Sequence, residues 1–230
     1  MKIHSFLLVV AIAITVFILS CGLTGEVGGE GNDSTPSSST AFQNPSSPSV
    51  GGLSSGSTFA YGSLPYKGQI YKTIAIGNQT WMAENLNYNS TNSRCYGDNP
   101  NNCKKYGRLY NWATAKTSCP TGWHLPSQIE WNIITAYIGG ASSEGKKLKA
   151  TSGWNINGNG TDEIGFSALP GGYGSSGGNF NYVGNSGCWW SSGEYNSSHA
   201  YYCSIDYDSD SANCDEYDKS DLFSVRCLQD

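Results

Sequence analysis

An alternation of apolar and polar side chains marks the start of the folded part of the chain. Residues 70–76 alternate in this way and are rich in β-forming side chains, which is typical of a β-strand. Gly77-Asn78 is a two-residue turn signal, and strand-forming side chains return at residues 79–82. This segment therefore predicts a β-hairpin.

A helical pattern begins at the end of the stretch Cys119–Trp131. Ser127 followed by Glu130 forms a capping box, in which each side chain accepts a hydrogen bond from the backbone N–H of the other residue. Gly139-Gly140 ends the pattern, because glycine enters the left-handed conformation without steric cost. We expect a helix from Ser127 that buries one apolar face, made by Trp131, Ile134 and Ile138.

The rest of the pattern indicates one short helix and several short strands. Residues 106–116 predict a helix with Leu109, Trp112 and Ala113 on one face. Strands are predicted at residues 188–192 and 223–228. Residues 200–214 predict a hairpin that turns at its acidic centre.

The first 21 residues have the pattern of an export signal with an attachment site. Lys2 supplies the positive charge, residues 6–19 are almost entirely apolar, and Cys21 follows a small residue. This resembles a bacterial lipobox, which implies cleavage after residue 20 and lipidation of Cys21. The alternative is a short transmembrane helix with an incidental cysteine, but the apolar run is short for a bilayer.

Residues 22–57 consist mainly of Ser, Gly, Pro, Asn and Thr. A segment with so few large apolar residues cannot offset the entropy of ordering, so we expect a disordered tether. The predicted organisation is a signal peptide at residues 1–20, a tether at 21–57 carrying lipidated Cys21, and a globular domain at 58–230.

Composition narrows the function classes. The net charge is −5 and only 13% of the 230 residues are charged, which disfavours a nucleic-acid partner. With 29 glycines, 15 tyrosines and 7 tryptophans, the chain favours short strands and irregular loops over a helical bundle.

The eight cysteines indicate an oxidising compartment. Zinc is disfavoured because there is no Cys-x-x-Cys pair, and the chain after Cys21 has only two histidines. Lipidation of Cys21 leaves an odd number, and Cys188, within an apolar strand, is the predicted free thiol. The expected disulfides are Cys95–Cys103 across a turn-rich loop, Cys203–Cys214 across the acidic hairpin, and Cys119–Cys227 from the remaining pair.

Five motifs resemble the FISUMP family, a "major paralogous domain" of bacterial lipoproteins, and the resemblance runs from about residue 68 to 227. It implies an α+β fold of the C-type-lectin-like type, with two helices, small antiparallel sheets, long irregular loops, and paired first and last strands. The motifs are Tyr106–Trp112, Cys119–Trp131, Phe166–Tyr173, Trp189–Ser192 and Phe223–Cys227.

Aromatic side chains are the best candidates for ligand binding, because their apolar faces and polar edges suit sugar rings. The Glu-Pro-Asn, Gln-Pro-Asp and Trp-Asn-Asp motifs of calcium-dependent lectins are absent, so sugar binding by that route is not expected. The alternative is that some of these rings only fill the core. The candidates are Tyr173, Phe180, Tyr182, Tyr195, Tyr201 and Tyr207.

The spacing of Asp206, Asp208 and Asp210 makes them a weak calcium candidate, since calcium loops use alternate carboxylates. The glycine and the bidentate glutamate of such loops are missing at the required offsets. A solvated acidic face is the favoured interpretation, and we expect no metal and no other cofactor.

No catalytic constellation is present, so an enzyme is not expected. His199, beside Ser197-Ser198, is the best candidate for a cryptic hydrolase. The sequence thus predicts a lipid-anchored protein of the outer membrane or cell surface that displays a binding module for polysaccharide or adhesion. A structural envelope protein that binds another protein, and a cryptic hydrolase, are the alternatives.

Overall fold

The structure is a computed structural model that describes residues 58–140 and 142–230. The predicted signal peptide, Cys21 and the tether lie outside the described residues. The described part is a mixed α+β domain with few helices, small antiparallel sheets and three disulfides. No helix within it is long and apolar enough to span a membrane.

Short elements dominate the described part of the chain. The helices are α1 Pro100–Tyr106, α2 Trp112–Ala115, α3 Gln128–Tyr137 and α4 Glu144–Leu148, with a 3-10 turn at Tyr96–Asp98. The strands are β1 Gly62–Tyr66, β2 Gln69–Ile76, β3 Gln79–Met82, β4 Ser93–Arg94, β5 Leu109–Tyr110, β6 Trp123–His124, β7 Tyr173–Gly174, β8 Phe180–Asn181, β9 Ser186–Glu194, β10 His199–Asp206, β11 Ala212–Asp218 and β12 Leu228–Gln229.

A five-stranded sheet of order β1-β2-β3-β12-β6 joins the two ends of the domain. The predicted hairpin is confirmed, with Ile76 opposite Gln79 across the turn. Leu228 pairs with both Trp81 and His124, so the last strand lies beside the first hairpin. This strand is shorter than the predicted span of 223–228; Phe223 contributes only an isolated bridge.

A three-stranded sheet of order β11-β10-β9 forms the other half of the domain. The predicted hairpin is confirmed, with Cys203 directly opposite Cys214. Side chains alternate across a strand, and in β9 and β10 both faces contribute to hydrophobic cores, while β11 is largely exposed. Trp189 and Cys203 belong to one hydrophobic core, while the adjacent Trp190 and Tyr202 belong to or pack against the other.

Helix α3 packs against the first of these faces. Both bonds of the predicted capping box are present, and Gly139 and Gly140 adopt positive φ beyond the helix end. Trp131 is buried, with its ring centroid 4.9 Å from that of Trp81 and 6.1 Å from that of Trp189. A buried tryptophan cluster therefore fixes the rotation of α3 about its axis.

The prediction of one helix over residues 106–116 is wrong. Helix α1 ends at Tyr106 because Gly107 has a φ of 78°, and a Cβ there would lie 2.6 Å from the Asn85 side chain. Leu109–Tyr110 then pairs with β4, and α2 begins after its cap residue Asn111. The described residues thus contain four α-helices rather than two, α2 and α4 being a single turn or little more.

The cysteines pair as the sequence predicts. The disulfides are Cys95–Cys103, Cys119–Cys227 and Cys203–Cys214, and Cys188 is free and buried in β9. The second of these closes 108 residues and connects the segment before α3 to the segment before β12.

Candidate functional site

A cleft of about 310 Å³ lies between α3 and the three-stranded sheet. Gln128, Asn132 and Thr135 line the helical side, and their spacing places them on one stripe of α3. Tyr201, Cys203 and Ile205 line the strand side, since alternate residues of β10 share a face. The cleft therefore has one polar wall and one largely apolar wall.

Local sequence features give the cleft its width. The capping box sets where α3 begins, and burial of Trp131 turns the polar stripe toward the sheet. In β9, Gly193 leaves room for Gln128, the first residue of the helix. A Cβ at Gly193 would lie 2.3 Å from the Gln128 Oε1 and 3.2 Å from the Tyr201 ring. Any side chain larger than hydrogen there would displace Gln128.

The polar wall contains hydrogen-bonding groups that have no partner among the described residues. Within the described residues, neither the Gln128 nor the Asn132 side-chain amide has a hydrogen-bond partner. The side-chain bonds of α3 are made by Glu130 and Thr135 instead. The indole Nε1 of Trp131 is also buried without a partner. An amide supplies both donors and acceptors, so this wall can hydrogen-bond a ligand that presents hydroxyl groups.

One of the predicted ligand-binding aromatics lines this cleft, and a second packs against it. Tyr201 lines it, and Tyr195 contacts Tyr201 edge-on, with ring centroids 5.5 Å apart and an interplanar angle of 79°. The Tyr195 side chain is 52% exposed. These two rings extend the apolar wall of the cleft toward solvent.

Tyr173 and Tyr182 belong to a different surface, on the other face of the sheet. Their rings stack with centroids 5.8 Å apart, and the Tyr173 and Tyr217 hydroxyls are 3.4 Å apart. Tyr217 in turn contacts Tyr202 edge-on. We call Tyr173, Tyr182, Tyr202 and Tyr217 the tyrosine cluster. Burial raises the pKa of Tyr202 to about 12, and the bond to Tyr217 together with burial raises the pKa of Tyr173, so both phenols are neutral.

The sequence prediction missed Tyr202 and Tyr217. The signal that could have found them is strand alternation: Tyr202 lies one residue before Cys203, and Tyr217 three residues after Cys214. The Cys203–Cys214 pairing therefore puts both tyrosines on the face opposite the disulfide.

The remaining two candidates lie elsewhere. The Phe180 ring packs against Tyr96 with centroids 5.2 Å apart, and the Arg94 guanidinium lies 4.7 Å from the Phe180 centroid. Tyr207 packs against the hydrophobic core beneath α3. The six predicted aromatics therefore do not form one site.

The calcium candidate is not supported. Among the described residues no group of three or more His, Cys, Asp or Glu side chains could hold a metal ion. The turn that carries Asp206, Asp208 and Asp210 is instead organised by a buried lysine. The Lys149 Nζ donates to the backbone carbonyls of residues 206, 207 and 209 at 3.0, 3.4 and 2.8 Å. Its ammonium group takes the carbonyl oxygens that a calcium loop would use.

The hydrolase candidate has an incomplete geometry. His199 Nδ1 lies 2.9 Å from the Ser198 hydroxyl, but Asn196 Oδ1 also accepts from this hydroxyl and from both backbone N–H groups. The pair is thus part of an exposed turn. Asp218 lies opposite His199 in the sheet but bonds to Ser220. Among residues 58–140 and 142–230, no third group bonds to the imidazole to orient it as a general base would require.

The described residues form a small disulfide-bonded α+β domain with a cleft between helix α3 and one face of an antiparallel sheet. The chain belongs to the Fibrobacter succinogenes major domain family, because the model of that family matches residues 74–229. No curated protein and no solved structure gives a significant match to the chain.

Proposed function

We propose that this protein is a lipid-anchored lipoprotein of the outer membrane or cell surface, and that its domain binds a neutral polysaccharide in the α3 cleft. The observation that carries the proposal is the pairing of a polar helical stripe, Gln128, Asn132 and Thr135, with the aromatic wall that includes Tyr201. Residues 1–57 would export, anchor and tether the domain.

The chemistry of the walls suits a sugar ring. Such a ring has an apolar face that stacks on an aromatic side chain and a rim of hydroxyls that bond to amides. None of the described residues that line the cleft is charged, which favours a neutral ligand. Its volume of about 310 Å³ lies at the lower end of the range of about 300–1,000 Å³ for small-ligand pockets, enough for a terminal unit or one ring of a chain.

We also propose that the domain is a branch of the C-type-lectin-like fold and that it is not an enzyme. The pairing of the first hairpin with the last strand supports this fold, as does the irregular segment between α4 and β7.

A cryptic hydrolase would depend on His199. If His199→Ala abolished a hydrolytic activity of the purified protein, the non-catalytic proposal would be wrong.

The direct test is binding of the purified full-length protein to an array of neutral polysaccharides. We expect Asn132→Ala and Tyr201→Ala each to weaken binding about three- to tenfold, the effect of losing one hydrogen bond or one ring contact. Asn132 is an exposed helical residue, so its replacement by alanine should not disturb folding.

The matched control is Tyr137, which is 60% exposed on α3 and does not line the cleft, so Tyr137→Ala should bind as the unaltered protein does. Tyr195 is similarly exposed but packs against Tyr201, so Tyr195→Ala should bind more weakly. The proposal would be contradicted if the protein bound no polysaccharide. It would also be contradicted if Tyr137→Ala and Tyr195→Ala lost binding affinity equally.

A protein partner is the second candidate, and the tyrosine cluster favours it. Tyrosine is enriched among the residues that dominate protein interfaces, and Tyr182 is 57% exposed. Under this alternative, pull-down from envelope extracts would recover one protein with the unaltered chain and with Tyr137→Ala but not with Tyr182→Ala. Recovery of that protein by all three would exclude the tyrosine cluster.

A further inference from the structure

A second cavity, also of about 310 Å³, lies between β2, α1 and the segment that follows β3. In the part of the chain that the structure describes, no residue lines both this cavity and the α3 cleft. Three lysines line it: Lys72 from β2, and Lys104 and Lys105 from α1. This concentration of cations stands out in a protein whose net charge is −5.

None of the three ammonium groups forms an ion pair within the described residues. The Lys72 Nζ lies 5.4 Å from the Tyr61 ring centroid, and the Lys105 Nζ lies 4.7 Å from that of Tyr106. Lys104 has no side-chain partner in the described part of the chain. These cations are therefore available to an anion from solution.

A fourth cation lies directly behind the cavity wall. Arg226 is 1% exposed and donates to the Asn85 Oδ1 at 2.8 Å and to the Ser167 carbonyl at 3.0 Å, and both acceptor residues line the cavity. Its third acceptor is the carbonyl of Phe166. Burial lowers the pKa of Arg226 to about 9, so the side chain is still a cation at neutral pH.

All three acceptors of Arg226 are neutral oxygens, so no carboxylate within bonding distance cancels its charge among the described residues. A buried charge in a low-dielectric interior acts over a longer range than an exposed one. Of the described residues that line the cavity, Glu84 is the only acid, and its Oε2 accepts the Lys72 backbone N–H at 2.8 Å. Behind the wall, Asp162 also acts on the charge of Arg226 and bonds to Ser167. In and behind the described wall, four positive charges therefore stand against two negative charges.

We infer that this cavity binds a sugar of about one ring that carries a carboxylate or a sulfate. The rim lysines and the buried Arg226 would attract the anionic group, while the amides of Gln69 and Asn87 and the ring of Tyr61 offer partners for hydroxyls and for the apolar face of the sugar. The cavity would bind this ligand whether or not the α3 cleft binds a neutral polysaccharide.

The test titrates the purified full-length protein with glucuronate, glucose 6-sulfate and glucose, using calorimetry. We expect both anionic sugars to bind with an affinity that falls as salt is added, and glucose not to bind at this cavity. Lys104→Glu should weaken binding of the anionic sugars about three- to tenfold, since an attraction is replaced by a repulsion.

Glu84→Gln provides a readout that loss of folding cannot mimic. It removes the one negative charge of the wall while an amide oxygen can still accept the Lys72 N–H, so binding of glucuronate should become tighter. The matched control is Lys67→Glu: Lys67 is also exposed beside tyrosine rings but lies outside the cavity, and its replacement should leave binding unchanged.

Equal affinity for glucose and glucuronate, or no binding of either anionic sugar, would overturn the inference. So would equal effects of Lys104→Glu and Lys67→Glu. Binding of neutral polysaccharide, measured on the same variants, should be unaffected by Lys104→Glu because the cleft shares no residue with the cavity. Failure at one site is therefore distinguishable from failure at the other.

Discussion

His124 and Glu130 form an ion pair at the start of α3, with the histidine Nε2 2.9 Å from the glutamate Oε1. The other ring nitrogen, Nδ1, lies 2.6 Å from Asp230 Oδ1. Glu130 also completes the capping box with Ser127. His124 therefore connects the start of helix α3 to Asp230, the residue that follows strand β12.

Stability should depend on pH through this pair. Partial burial lowers the pKa of His124, but its bonds to Asp230 and Glu130 outweigh burial and leave the pKa above its usual 6.5. Partial burial raises the pKa of Glu130, but its bonds from Ser127 and His124 leave the pKa below its usual 4.5. The contribution of His124 to the free energy of unfolding is full below pH 6.5 and is lost as the pH rises through the pKa of the folded protein. The contribution of Glu130 is full above pH 4.5 and is lost as the pH falls through the pKa of the folded protein.

We therefore expect the pair to stabilise the fold most between about pH 4.5 and 6.5. His124→Gln should lower the free energy of unfolding by less than about 1 kcal/mol at pH 5.5, because the pair is partly exposed, and by still less at pH 9. Urea unfolding at the two pH values measures this difference. His199→Gln is the control, and a loss for His124→Gln that does not change with pH would contradict the assignment.

The cap of α3 should contribute measurably to stability. Ser127→Ala removes the acceptor of the Glu130 backbone N–H, and such a loss typically costs about 1 kcal/mol. Chemical denaturation of Ser127→Ala beside Ser63→Ala, an exposed serine without a side-chain bond in the described residues, checks this prediction. Equal stability of the two variants would show that the cap is unimportant.

Lys149 should be essential for the turn at residues 206–209. Lys149→Met keeps much of the buried aliphatic volume but leaves three backbone carbonyls without their donor, which should cost about 2–4 kcal/mol. Thermal melting with and without added calcium measures both stability and metal binding. We expect calcium to change neither protein, and a rise in melting temperature of the unaltered protein on adding calcium would restore the metal candidate.

The disulfides should contribute unequally. Cys119–Cys227 closes 108 residues and Cys203–Cys214 closes 11, so in the chain-entropy model the first stabilises by about 4–5 kcal/mol and the second by about 3 kcal/mol. Paired replacement by alanine, followed by urea unfolding, compares them. A larger loss on removing the short disulfide would show that local packing matters more than loop closure.

Cys188 should react only when the domain unfolds. It is buried in β9, and burial raises the pKa of its thiol, which keeps the reactive thiolate scarce. Mass spectrometry after iodoacetamide treatment should find one modified cysteine in denaturant and none in the native protein among residues 58–230. Rapid native alkylation of Cys188 would show that β9 opens.

Several structural features could be predicted because their signals are local in the sequence. The turn at Gly77-Asn78 and the capping box of Ser127 and Glu130 each depend on residues within four positions of one another. The Cys203–Cys214 pair follows from the symmetry of one hairpin. The single helix predicted for residues 106–116 failed because Gly107 must pack against Asn85, a contact that helical spacing does not encode.

The sequence by itself determined the first hairpin, the limits of α3, the disulfide pairs and the family. Only the tertiary structure decided that Tyr201 lies in a cleft while Tyr202 faces the opposite side, and that Arg226 lies behind a cavity lined by lysines. The physical reason is distance along the chain. Asn85 and Arg226 are 141 residues apart, and burial of such a pair depends on how separate segments pack rather than on any local pattern.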